Sequence, residues 1–105
     1  MTWQRAIRAD NVAVGGTASV ALDHGDVLIC RTGDQRFFAL EDRCSHDGAS
    51  FEDGPLDGET LTCPRHGARF SVVDGRALSM PAVAPVEVLS VRVTVDGWVE
   101  VEVVE

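Results

Sequence analysis

The chain contains no lysine. Its nine basic residues are all arginine, set against seventeen acidic ones. The missing lysine reads as compositional bias and excludes nothing by itself, but the charge balance does. A net charge of −8 and a pI near 4.7 exclude an ordinary nucleic-acid binder, which needs a basic face. No apolar run approaches the roughly eighteen residues of a membrane span, so no membrane association is expected. Residues Met1 to Asp10 carry arginines and no apolar stretch, so they do not read as a signal peptide. No segment sustains an apolar period of 3.6, which argues against helices. There are no repeats and no low-complexity stretches. No Ser/His/Asp pattern, phosphate loop or other substrate-activating constellation occurs, so the chain is not expected to be an enzyme.

Cysteine is also scarce, at three residues. An odd number does not suit a disulfide framework and fits a reducing, cytoplasmic compartment. Cys30 stands in the run Val27-Leu28-Ile29-Cys30 and reads as a small buried hydrophobe. The other two cysteines have a different company, described below.

The pattern that is present is β. Ala18 to Leu22, Val27 to Cys30 and Arg36 to Leu40 are short apolar-rich runs. They are separated by the turns Asp23-His24-Gly25-Asp26 and Thr32-Gly33-Asp34-Gln35, as successive antiparallel hairpins would be. Near the end, Val86, Val88, Val91, Val93 and Val95 alternate with polar residues, and a phase slip at Leu89-Ser90 suggests a bulge. Asp96-Gly97 reads as a two-residue hairpin turn. Trp98 to Val103 returns with Val99, Val101 and Val103 on one face. These runs predict an all-β fold, an antiparallel sandwich or barrel of two or three sheets. At 105 residues it is one domain, 1–105. From about 43 to 82 the composition changes. Gly48, Gly54, Gly58, Gly67 and Gly75, with Pro55, Pro64 and Pro81, mark a loop-rich insert. His24 reads as a turn residue, and Trp3 and Trp98 as core or edge packing.

The insert carries two mixed pairs, Cys44-Ser45-His46 and Cys63-Pro64-Arg65-His66. Sixteen residues separate them, and each runs into a glycine, Gly48 or Gly67. A thiolate and an imidazole this close in sequence can serve one inorganic centre from one tight loop. Two such loops supply four ligands: Cys44, His46, Cys63 and His66. Two Cys and two His suit zinc or an iron–sulfur cluster. Zinc fingers usually group the cysteines apart from the histidines. Here each pair is mixed.

That order resembles the Rieske family, in which two histidines replace two cysteines on one iron of a [2Fe–2S] cluster. The resemblance implies a Rieske-type β fold and one [2Fe–2S] cluster on Cys44, His46, Cys63 and His66. It also implies a cluster-binding subdomain of about 43–82, with a proline loop around Pro81 covering the cluster. Two thiolates neutralise a diferric two-sulfide core, whereas four leave it dianionic, so the potential rises relative to all-cysteine ferredoxins. High-potential members carry an extra cysteine in each loop and a serine and a tyrosine after the second histidine. Here those positions are Ala49, Arg65, Ala68 and Phe70. The chain therefore resembles the low-potential, soluble bacterial ferredoxins of ring-hydroxylating dioxygenases, and also small Rieske proteins beside iron–sulfur assembly systems.

The resemblance implies a monomeric one-electron carrier between a flavin-containing reductase and a terminal oxygenase. His46 and His66 would lie at the electron exit, and Asp47, Glu52 and Asp53 would border the docking face. A Rieske small subunit or accessory protein of a reductase or assembly system is the alternative, and a structural zinc module a further one.

Overall fold

The computed structural model describes residues 2–23, 25–44, 48–52, 54–65, 67–80 and 84–103. Ten strands run through them: β1 (Thr2–Arg8), β2 (Gly16–Leu22), β3 (Gly25–Arg31), β4 (Phe37–Glu41), β5 (Leu56–Asp57), β6 (Thr60–Thr62), β7 (Arg69–Ser71), β8 (Val88–Leu89), β9 (Val91–Val93) and β10 (Trp98–Val103). Among the described residues the helical structure is one 3-10 turn, Ala9–Asn11. All pairings are antiparallel. They build three sheets of order β1-β10-β9, β2-β3-β4-β8 and β5-β6-β7. No helix among the described residues is long and apolar enough to cross a membrane.

The four-stranded sheet has a core on each face, and β3 shows why. Its run Val27-Leu28-Ile29-Cys30 is buried throughout. Successive strand residues point to opposite faces, so Val27 and Ile29 join one core and Leu28 and Cys30 the other. β4 does the same with Ala39 and Leu40. An unbroken apolar run is what a strand covered on both faces requires. The first core adds Val99, Val101 and Val103 of β10, the face expected from their alternation. The second adds Cys44, Phe51, Leu61, Cys63, Ala68 and Phe70, so the insert is packed directly on the scaffold.

The central hairpins β2-β3-β4 stand where the sequence pattern puts them. Three features differ from expectation. The slip at Leu89-Ser90 is a change of sheet: β8 pairs with β4, and β9 pairs with β10. The Asp96-Gly97 hairpin is closed by the pair Thr94/Trp98 (2.8 Å), which leaves three residues in the loop, with Gly97 at φ +89°. β1 is a strand the alternation does not disclose. Its register on β10 shifts between Arg5 and Ile7, so Trp3 and Ile7 fall out of a simple period of two. Trp3 and Trp98 are half-buried, under the guanidinium of Arg92 and of Arg5 and Arg8 respectively, which is edge packing. His24 lies outside the described residues.

The insert returns to the scaffold at Gly75. Its φ is +77°, and a Cβ there would stand 1.9 Å from the Val86 carbonyl oxygen. Only glycine allows the two backbones to approach so closely.

Candidate metal centre

Cys44 and Cys63 are fully buried, neither is in a disulfide, and they share one core cluster. Each opens a loop closed by the same two backbone bonds. The Cys44 amide donates to the Ala49 carbonyl (2.8 Å) and the Gly48 amide to the Cys44 carbonyl (2.7 Å). The Cys63 amide donates to the Ala68 carbonyl (2.7 Å) and the Gly67 amide to the Cys63 carbonyl (3.0 Å). Both glycines have φ +74°, a left-handed conformation that side chains disfavour. The two loops thus repeat one closure over the sequence Cys-x-x-x-Gly-Ala. His46 and His66 fall inside these loops and lie outside the described residues, as do Asp47, Asp53, Pro81 and Ala82.

The supports of the loops differ. The first hangs on Asp42, a buried carboxylate next to β4. Asp42 accepts hydrogen bonds from the Phe51 amide (2.8 Å), the Ser50 hydroxyl (2.7 Å) and the Ser19 hydroxyl of β2. The second loop is strung between β6 and β7, three-residue strands paired at Leu61↔Phe70. Leu61 and Phe70 are fully buried, and Phe70 meets Phe51 edge-on at 5.4 Å between centroids. This small sheet is invisible to sequence periodicity because two- and three-residue strands are shorter than the pattern used to find them.

Arg65 joins the two loops. Its Nη1 donates to the Ser50 carbonyl, just beyond the first loop (2.8 Å), and its Nη2 to Cys63 Sγ (3.4 Å). Sequence reasoning registers Arg65 only as a non-cysteine. Its reach across to residue 50 could not be read from the chain. Ser79 accepts from the Arg69 amide (3.2 Å), and Leu78 donates to the Arg69 carbonyl (2.8 Å), so the segment leading towards Pro81 is tied to β7. Cys30 lies in the same core as the two loop cysteines. Burial, reinforced by the negative charge of Asp42, pushes its thiol up to about 12, so at neutral pH it is an inert apolar group.

Beside the first loop runs an open groove lined by Gly48, Asp26, Glu41, Glu87 and Glu102 among others. These acids come from β3, β4, the approach to β8, and β10, and the fold alone gathers them. Glu52 is exposed on the same segment as Phe51.

Two buried thiols outside any disulfide, held in duplicate loops with apolar walls, fit a group bound through thiolates. No disulfide joins the two cysteines, and the fully buried Leu61, Phe70 and Phe51 wall their side of the site.

Comparison with known proteins agrees. The model of the Rieske [2Fe-2S] domain matches residues 2–92. Ferredoxin CarAc of Metapseudomonas resinovorans is 36% identical over 92 residues, covering 87% of this chain and 85% of that one. The ferredoxin component of the p-cumate 2,3-dioxygenase system of Pseudomonas putida is 42% identical over 89 residues, covering 84% and 74%. Among solved structures, a complex of reduced oxygenase and oxidized ferredoxin in carbazole 1,9a-dioxygenase contains a chain of 35% identity. It superposes with a TM-score of 0.85 over 94% of this chain and 91% of that one.

Proposed function

The chain belongs to the Rieske [2Fe-2S] domain family, and on that premise we propose that it is a one-electron carrier of a ring-hydroxylating dioxygenase system. It takes an electron from a flavin-containing reductase and passes it to a terminal oxygenase. The observation that carries this reading is the pair of buried thiols in duplicate loops. In this reading the chain is one domain, 1–105, with a cluster-binding subdomain of about 43–82, and acts as a cytoplasmic monomer. It performs no substrate chemistry of its own.

Cys44, His46, Cys63 and His66 are the residues that would hold the [2Fe–2S] cluster. When bound, the cluster supplies a single electron-accepting site with a potential in the Rieske range, roughly −150 to +300 mV. The protein's residues do the rest. Phe51, Leu61 and Phe70 keep water from the cysteine side. Asp42 fixes the backbone that follows the first loop. Ala68 and Phe70 are fully buried and offer no hydroxyl to sulfur. Hydrogen bonds to sulfur raise the potential of such sites, so lacking these two places it near the low end, roughly −150 mV. The acidic groove beside Gly48 and the exposed Glu52 give a negative face that steers a basic partner surface to the site.

The test begins with composition. Protein made with ample iron should be coloured and contain about two iron and two acid-labile sulfide per chain. Stoichiometric zinc in colourless protein sinks the proposal. NADH and a flavin reductase of a ring-hydroxylating system should then bleach its visible band, and an oxidised Rieske oxygenase should restore it. Glu52→Gln should slow that second step at low salt and flatten its dependence on ionic strength.

A further inference from the structure

We propose that Arg65 sets both the potential and the durability of the metal centre, as a sulfur hydrogen-bond donor and as the brace between its two loops. This inference rests on the electron-carrier reading above and adds a residue to it.

Guanidinium is a planar fork whose charge does not titrate. Here the two prongs engage different loops. Nη2 donates to Cys63 Sγ at 3.4 Å, and Nη1 to the Ser50 carbonyl at 2.8 Å. Neither acceptor is adrift. Cys63 is fully buried between β6 and β7. Ser50 is fixed through its hydroxyl to Asp42, itself buried, at 2.7 Å, and also accepts the Glu52 amide at 3.0 Å. The chain of contacts therefore runs from Cys63 through Arg65 and Ser50 to Asp42 and, through Ser19, to β2. It links the support of one loop to the ligand of the other.

Two consequences follow. A cation that donates to a ligand sulfur stabilises negative charge there, and more so after the site gains an electron. Arg65 thus raises the potential at a site where Ala68 and Phe70 contribute nothing. A fork spanning two loops also opposes their separation, the motion by which a centre held from both loops is lost. Lysine has the charge but a single ammonium, which cannot hold both acceptors in one geometry.

The experiment uses the cluster-loaded protein and the variants Arg65→Gln and Arg65→Lys. Three quantities are read: midpoint potential by voltammetry, loss of visible absorbance in excess chelator, and the β-sheet circular dichroism. Arg65→Gln should shift the one-electron equilibrium about tenfold towards the oxidised form, a fall of 59 mV, and lose its cluster about tenfold faster, as the removal of a charged hydrogen bond implies. Arg65→Lys should regain most of the potential and still lose the cluster fast. An unchanged potential in Arg65→Gln overturns the donor role, and wild-type chelation rates in both variants overturn the brace. If neither variant retains iron, intact sheets support the brace, whereas unfolded sheets make Arg65 a general folding residue and overturn it. Wild-type protein without iron and sulfide would instead sink the electron-carrier reading, before Arg65 enters.

Discussion

Residues 44–49 and 63–68 close with the same pair of backbone hydrogen bonds and the same glycine at φ +74°, yet they are held by different means. The first depends on a point: the carboxylate of Asp42, which gathers donors from Ser19, Ser50 and Phe51. The second depends on a surface: the paired strands β6 and β7 and the aromatic contact of Phe70 with Phe51. A loop closure can thus be repeated within one chain while its support is not. The closure is local and needs only a glycine at the fourth position after the cysteine. The support is made by whatever the fold places underneath.

The largest effect that breaks the comparison removes a ligand. Cys44→Ser and Cys63→Ser should each lose the cluster entirely, because the centre needs both loops and its binding is coupled to their order. Iron and sulfide analysis checks this. Retention of about two irons per chain by either variant would reassign the ligands.

Next is Asp42→Ala. It strands a buried amide and two hydroxyls, and should cost about 3 kcal/mol, read as a lowered thermal midpoint. Hydrogen exchange sharpens the test. The amides of Cys44 and Gly48 should exchange faster while those of Cys63 and Gly67 keep their protection. Equal loss in both loops would mean that they share one support.

Smaller again is the pair Gly48→Ala and Gly67→Ala. Among the described residues, a Cβ at Gly67 meets nothing within 4 Å, and one at Gly48 meets only the Arg43 guanidinium at 3.6 Å. Each variant should pay only for its left-handed backbone, about 1 kcal/mol, and the two costs should match in thermal unfolding. A marked inequality would show that the closures are not equivalent.

The smallest effect at neutral pH belongs to Cys30, beneath both loops. Folding raises its thiol from an ordinary 9.0 to about 12. The folded chain therefore holds this proton more tightly than the unfolded one. The associated stability is complete below about pH 9 and is lost as pH rises from 9 through 12. Thermal midpoints of wild type and Cys30→Val should run parallel below pH 9. Above it the wild type should fall relative to the variant.

The chain by itself determined what depends on near neighbours. The hairpins β2-β3-β4 are legible because turn residues separate apolar runs a few positions long. The buried face of β10 is legible because Val99, Val101 and Val103 alternate without interruption. The candidate ligands are legible because thiolate and imidazole sit within three positions of each other, although His46 and His66 lie outside the described residues and remain assigned by sequence and family. The fold decided what depends on distant partners. β1 is a strand because β10 accepts it across a register shift that erases its alternation. The irregularity at Leu89-Ser90 is a passage between sheets, since a local phase slip does not say which strand each half will meet. Asp42 and Arg65 look like ordinary surface charges in the sequence. One becomes the buried anchor of a loop and the other a bridge between loops, because hydrogen-bond acceptors and donors are matched by position in space and the sequence holds that position only implicitly.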